Sequence, residues 1–437
     1  MGGYLPATDA DRAAMLQALG LTDMEDLFAC VPQAVRQRAP LNLPAGASEL
    51  EVLERMRGLA GRNTVFPTVF RGAGAYRHFI PAIAKNVPAK ETFLTAYTPY
   101  QAEMSQGLLQ AIFEFQTMIC ALTGMDAANA SVYDGATAAA EAAAMCRERA
   151  RTRTVISATA HPQVIEVVRT YCEAAGTELA IIPAKDGITD CAALAATLSG
   201  SDACVIVQQP NYYGLLEDCA VLGEAAHATG AKFIMSVNPL AAALLRTPAD
   251  CGADIAVGDG QSLGLPLAFG GPSLGFMAAK QSLARKLPGR IVGQTADANG
   301  NRAFVLTLQA REQHIRREKA GSSICSNQAL CALQASVYMA SMGPGGISAA
   351  AQQSMDNAHA LAEGICSLPG YAMRFAGPYF HEFVTTCPDA HKALAALEQN
   401  GILGGLPIDE GILWCATELN TQQEIDRVVG VLQEVGT

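Results

Sequence analysis

Five short runs, "TVIS" (154–157), "ELAII" (178–182), "ACVIVQ" (203–208), "KFIMSV" (232–237) and "DIAV" (254–257), are apolar almost without a break. A strand with one wet face alternates apolar and polar residues. Continuous runs instead argue for parallel strands covered on both faces. Helical stretches at about 163–175, 190–199 and 219–229 separate the first four runs, and a short connection precedes the fifth. That alternation specifies one doubly wound α/β layer.

The flanks read differently. "PATDADRAAMLQALGL" offers Thr8 or Asp9 as a helix N-cap, with Met15, Leu16 and Leu19 on one face and Gly20 closing it. In "SELEVLERMRGLAGRN", Ser48 and Glu51 have the spacing of a capping box. A zone rich in Gly, Pro and Tyr then leads to a long helix. Its apolar positions are Met104, Leu108, Ile112, Phe115, Ile119 and Leu122, and Gly124 ends it. Past "REKAGSSICSNQ" (317–328) a helical stretch carries Ile347, Ala351, Met355, Ala358, Leu361, Ile365 and Leu368 on one face. Strands "HEFVTT" (381–386) and "ILWCA" (412–416) alternate there with helices at about 388–399 and 421–435. The expected division is an N-terminal helical arm (1–65), a large α/β domain (66–315) and a smaller C-terminal α+β domain (316–437).

A chain of 437 residues, half of them hydrophobic and 16% charged, is built to bury a core. Its net charge of −11, with no Lys/Arg block, argues against nucleic acid and anionic membrane surfaces as partners. The 13 cysteines form no CxxC pair and most sit in apolar runs, which reads as buried thiols in a reducing compartment. No HExxH or His/Cys cluster supports a metal site. The N-terminus lacks a basic region followed by an apolar one, and no run approaches the roughly 20 apolar residues of a membrane span, so a cytoplasmic protein is expected.

"ADIAVGDGQSLGLPLAFGGPSLGF" (253–276) looks like a cofactor turn, a strand entering a Gly/Ser-rich loop that a second strand leaves. Enzymes that hold an aldehyde cofactor often place their Schiff-base lysine on such a turn, where the amine is rigidly aimed. Here the turn has no lysine. The eight lysines of the chain (85, 90, 185, 232, 280, 286, 319 and 392) lie in loops, at a strand start or on expected surface helices. Lys319 sits in a polar stretch, where flanking arginines and Glu318 predict an ion-pair network.

Three other stretches could carry chemistry. In "SVYDGATAAAEAAAM" (131–145), Asp134, Gly135 and Thr137 open an alanine helix whose N–H groups suit an anion, although plain helix capping explains them too. "QQPNYYGLLED" (208–218) follows a buried strand into a polar loop, where α/β proteins bind ligands. "AYTPYQAEMSQG" packs Tyr97, Thr98, Tyr100, Gln101, Ser105 and Gln106 closely. Hydroxyls and amides that dense either line a pocket or fix an irregular loop, and the residues alone leave both open.

Together, "GAGAYRHFIPA", the run of nearly fifty residues from Thr95, "QQPNYYGLLED", "DGQSLGLPLAFGGPSLGF" and "REKAGSSICSNQAL" resemble the P-protein family of the glycine cleavage system, glycine dehydrogenase (decarboxylating). Within that family the chain is similar to the N-terminal, alpha subunit of the split two-chain form. The resemblance implies the fold of PLP-dependent transferases of the aspartate aminotransferase type. It also implies that the lysine binding pyridoxal phosphate belongs to a partner beta subunit, with Gln261 and Ser262 near the vacant position here. The implied reaction is decarboxylation of glycine, with transfer of the aminomethyl group to the lipoyl arm of the H-protein. In this reading Tyr97, Thr98, Tyr100 and Gln101 contribute to the partner's site, and Asp134, Gly135 and Thr137 are a vestigial phosphate loop. An inert scaffold subunit and an independent PLP enzyme are the alternatives. The second needs a lysine that the turn does not offer.

Overall fold

The computed structural model describes residues 7–38, 42–94 and 99–436. Contacts divide the chain into two compact units, Met1–Val65 and Phe66–Thr437. In the first, Thr8 caps helix Asp9–Ala18 and Ser48 caps helix Glu49–Ala60, each in a reciprocal capping box with the acidic residue three positions on. A 3-10 turn (Met24–Phe28) and helix Gln33–Arg38 lie between them. The apolar face expected on the first helix is there but stays exposed, Met15 at 51% and Leu19 at 65%.

The second unit is organised by a seven-stranded sheet. Its strands are β1 (Ala127–Ala128), β2 (Arg153–Ser157), β3 (Leu179–Ile182), β4 (Asp202–Gln209), β5 (Lys232–Val237), β6 (Ile255–Asp259) and β7 (Gly275–Ala279). The order is β1-β7-β6-β5-β4-β2-β3. Strands β2 to β6 pair in parallel, while β7 runs antiparallel to β6 and to β1. The continuous apolar runs follow from two cores. Val155, Val205, Phe233 and Ala256 pack on one face, and Ile156, Ile206, Ile234 and Val257 on the other. Each large aliphatic or aromatic side chain so buried contributes roughly 1.5–3 kcal/mol, and a one-residue slip would exchange the faces.

Helix α1 (Gln106–Thr123) buries Leu109, Ile112, Phe115 and Ile119, and Gly124 closes it in the left-handed conformation at φ 73°. Met104 lies in the turn before the helix and is 82% exposed, so it does not belong to the core face expected for it. Lys280 caps and Lys286 ends a 3-10 segment (Gln281–Lys286), not an α-helix. The alanine-rich helix α2 (Gly135–Cys146) is buried almost throughout, which its small side chains allow against β6 and β7.

The helical stretch Ala329–Cys366 is broken at Gly343, φ 62°, just before Pro344. Proline lacks the N–H and disfavours helical backbone in the residue before it, and glycine tolerates the resulting conformation. A four-stranded antiparallel sheet follows, with Glu382–Thr386 and Gly411–Cys415 at its centre and helices Ala390–Gln399 and Gln422–Gly436 beside it. Seven of the 13 cysteines are buried, three are intermediate, and Cys30, Cys191 and Cys325 are exposed. Among the described residues no helix is long and apolar enough to cross a membrane, and no group of three or more His, Cys, Asp or Glu is placed to hold a metal ion.

Candidate functional site

The carboxyl ends of β4, β5 and β6 open on a cavity of about 260 Å³. Gln208, Ser236, Asn238 and Asp259 reach it from these strands or the residues just after them, Asp134 and Gly135 from the start of α2, and segments 73–76 and 380–382 close it. Parallel sheets place their binding loops at this end because the connecting helices cover both faces.

Gln261, near the position expected for a Schiff-base lysine, is fully engaged. Its Oε1 accepts from the Tyr76 N–H at 2.8 Å, and its Nε2 donates to the Tyr76 and Leu265 carbonyls at 2.8 and 2.9 Å. Ser262 is buried beside it on the cavity wall. Asp259 lies at the N-terminus of α2. Its carboxylate accepts from the Gly135 N–H at 3.1 Å, the Gln261 N–H at 2.9 Å and the Ser273 hydroxyl at 2.8 Å. Burial raises this carboxyl above its ordinary pKa despite those donors. One turn along, Asp134 accepts from the Thr137 N–H at 2.7 Å. The Gly135 and Thr137 N–H groups at this helix end therefore face carboxylates of the chain itself.

His161 caps the helix that follows β2. Its Nδ1 accepts from the Gln163 N–H at 3.1 Å, so its Nε2 carries the proton and donates to the Ala73 carbonyl at 3.0 Å. Burial lowers its pKa, keeping the ring neutral. Opposite lies Glu382, buried and accepting from the Ala73 N–H at 2.6 Å and the Tyr76 hydroxyl at 2.7 Å. Desolvation pushes its carboxyl up to about 7. His381 stacks edge-on against Tyr76, and neither of its ring nitrogens has a hydrogen-bond partner among the described residues. None of Tyr76, His161, Asp259, His381 and Glu382 was singled out from the sequence. They come from segments up to 306 positions apart, and no local spacing announces that. "AHPQ" after a strand, with Pro at the helix start, was the one usable signal.

The loop 208–218 divides its work. Gln208 accepts from the His161 N–H at 2.8 Å on the cavity side, while Asn211 donates to the buried Glu217 at 2.8 Å and fixes the loop. In the Tyr-rich stretch, Tyr97 and Thr98 lie outside the described residues. Tyr100 and Gln101 do not line the cavity. Tyr100 packs against the Arg290 guanidinium, 5.3 Å from ring centroid to Cζ, and its hydroxyl accepts from Asn327 at 2.8 Å. Gln101 is exposed. Gln106 is a brace, bonded through both ends of its amide to the Phe304 backbone at 2.8 and 2.9 Å.

A pyridoxal phosphate site needs an amine for the aldehyde and free donors for the phosphate. The cavity wall carries Asp134, Asp259 and Glu382 but no lysine or arginine. Lys280 pairs with Asp254 at 3.0 Å and Lys286 with Glu148 at 3.2 Å, both away from it. Lys319 makes no ion pair with Glu318 among the described residues, so the network expected there is not formed. The residues present do not fit the cofactor.

The family model described as "Glycine cleavage system P-protein" matches residues 2–432. A protein of Desulfitobacterium hafniense named "Probable glycine dehydrogenase (decarboxylating) subunit 1" is 46% identical over 99% of both chains. Its namesake from Moorella thermoacetica is 48% identical, again over 99% of both. A crystal structure titled as glycine decarboxylase (P-protein) of the glycine cleavage system, in inhibitor-bound form, superposes with a TM-score of 0.93 at 42% identity, covering 99% of each chain. A sphingosine-1-phosphate lyase from Burkholderia pseudomallei, at 17% identity and a TM-score of 0.66 over 93% of this chain and 94% of its own, shares the fold. With near-complete coverage in sequence and in structure, the chain belongs to the glycine cleavage system P-protein family.

Proposed function

We propose that this chain is the lysine-free alpha subunit of a two-chain glycine dehydrogenase (decarboxylating). Its beta partner carries the Schiff-base lysine and the pyridoxal phosphate, decarboxylates glycine and passes the aminomethyl group to lipoyl H-protein in the cytoplasm. The observation that carries the reading is Gln261: an amide bonded to Tyr76 and Leu265 stands in the cofactor turn, and the Asp259 carboxylate meets the helix end that would hold a phosphate. The relatives' designation as subunit 1 supports a second chain. So does the apolar surface of the N-terminal arm, where Met15, Leu19, Leu27, Phe28, Leu50 and Met56 are all exposed.

In this reading the Tyr97–Gln101 stretch serves the partner's site. Tyr100 supports it in that its ring is held by packing and by Arg290, and no described acceptor takes its phenol proton. Asp134, Gly135 and Thr137 then remain as a phosphate loop turned to structural use. Glycine–CO2 exchange measured on this chain, on the lysine-bearing chain and on their mixture tests the assignment. Only the mixture is expected to be active, and full activity of the partner alone would reduce this chain to a scaffold.

A further inference from the structure

The cavity at the carboxyl ends of β4, β5 and β6 is lined by hydrogen-bonding groups that the fold leaves unused. Gln208 and Asn238 each have their amide oriented by a backbone N–H, which the oxygen accepts from His161 at 2.8 Å and from Leu240 at 2.9 Å. That leaves the Gln208 Nε2 and Asn238 Nδ2 donors without a partner among the described residues, and neither is sealed from solvent. Ser236 is only 8% exposed, and its hydroxyl is likewise unpaired among the described residues without being sealed. A side chain so deeply buried has its remaining accessible surface in the cavity it lines. Gln208 and Ser236 are register partners across β4 and β5, so these donors stand side by side.

Carboxyls stand at the other end of the same row. Ser236 pairs with Val257 of β6, two residues before Asp259, and alternate residues of a strand share a face. Asp134 accepts from the Thr137 N–H through Oδ1, while its Oδ2 has no partner among the described residues. Burial first, and the Asp134 charge after it, raise the Asp259 carboxyl, so the two carboxyls are close enough to oppose each other. With no lysine or arginine on the wall, that pair calls for a cation from outside the chain. Among the described residues no group of three or more His, Cys, Asp or Glu is placed to hold a metal ion. An ammonium, with three N–H donors, suits acceptors set apart in this way. Neighbouring strands lie about 4.8 Å apart, so the row from β4 to β6 spans about 10 Å. A molecule whose ammonium and acceptor are joined through one carbon fills that span with a hydrogen bond at each end.

We propose that this cavity binds a small α-amino acid noncovalently, its ammonium on Asp134 and Asp259 and its carboxylate on Ser236, Asn238 and Gln208. The volume of about 260 Å³ restricts the ligand to a short side chain. The inference goes beyond the glycine dehydrogenase reading, since it needs neither a partner chain nor a cofactor. Its test reads binding and not turnover, so either can fail alone.

Calorimetric titration of the purified full-length chain with L-alanine tests it. Ethylamine and propionate, which keep the carbon skeleton and only one of the two charges, are the controls. One saturable alanine site is expected, at least tenfold tighter than either control. Ser236→Ala removes a hydroxyl that holds nothing in the fold and should weaken alanine several-fold. Asp134→Asn keeps the oxygen that caps the helix but loses the charge. It should weaken alanine and ethylamine roughly tenfold each, and not propionate. Asn238→Asp keeps the accepting oxygen and replaces the donor by a charge. It should weaken alanine roughly tenfold and leave ethylamine no weaker. Lys392→Gln should change nothing, and melting curves establish that each variant is folded. Absence of saturable alanine binding, ethylamine binding as tightly as alanine, or an affinity indifferent to Ser236→Ala and to whichever of the other two variants folds would overturn the proposal.

Discussion

Gln261 holds Tyr76 by both of its backbone groups, accepting from the N–H and donating to the carbonyl, each at 2.8 Å. Through this one amide the cofactor turn grips the segment that closes the cavity. The residue near the place expected for a reactive amine has become a tie between two distant parts of the chain.

The first expectation follows from that tie. Gln261→Ala removes three hydrogen bonds and leaves partly buried backbone groups without partners. It should lower the stability of the chain by roughly 1–3 kcal/mol, read from the urea midpoint at unchanged slope. A variant as stable as the parent would mean that the amide is not a clamp.

Glu382 provides a pH dependence. Burial raises its carboxyl from 4.5 to about 7, so the folded chain keeps a proton that the unfolded chain has already lost over that interval. Bound protons in the folded state exceed those in the unfolded state there, and stability from this group falls as pH rises from about 4.5 to about 7. The loss is on the order of 3 kcal/mol and is complete above that range. Glu382→Gln removes the ionisation. Relative to the parent, the variant should gain roughly 2–3 kcal/mol between pH 4.5 and 8 in urea unfolding. Parallel curves for the two proteins would contradict a buried, protonated Glu382.

Much of the scaffold was legible because one physical cause writes it locally. Strands β2 to β6 are covered on both faces, so each is a continuous apolar run, and Gly124 and the Ser48–Glu51 box mark helix ends by their own chemistry. The two-residue strand β1 is too short to write a pattern, and Met104 kept the helical spacing without entering the helix. The cavity was legible only in part. The missing lysine showed in the turn itself, but the Asp259 carboxylate at the end of α2 joins residues 124 positions apart. Tyr76 and Glu382 are 306 positions apart. Such contacts are set by tertiary packing, and no window of sequence contains both partners.

For the proposed contribution of Tyr100 to the partner's site, Tyr100→Phe keeps the ring on Arg290 and deletes only the hydroxyl bonded to Asn327. In the reconstituted complex, kcat/KM for glycine should fall roughly tenfold, about 1.4 kcal/mol of transition-state stabilisation, while assembly persists. Kinetics are normalised to bound pyridoxal phosphate and paired with thermal melting. If Tyr100→Phe and Tyr97→Phe both leave turnover unchanged, the stretch only fixes its loop.

The assignment of the chemistry to the partner chain is tested most directly by borohydride reduction of the assembled, cofactor-loaded complex, followed by digestion and mass mapping. The account predicts that every stoichiometric pyridoxyl-lysine maps to the partner chain and that all eight lysines of this chain remain unmodified. A single stoichiometric adduct on this chain, at Lys319 or any other lysine, would contradict it.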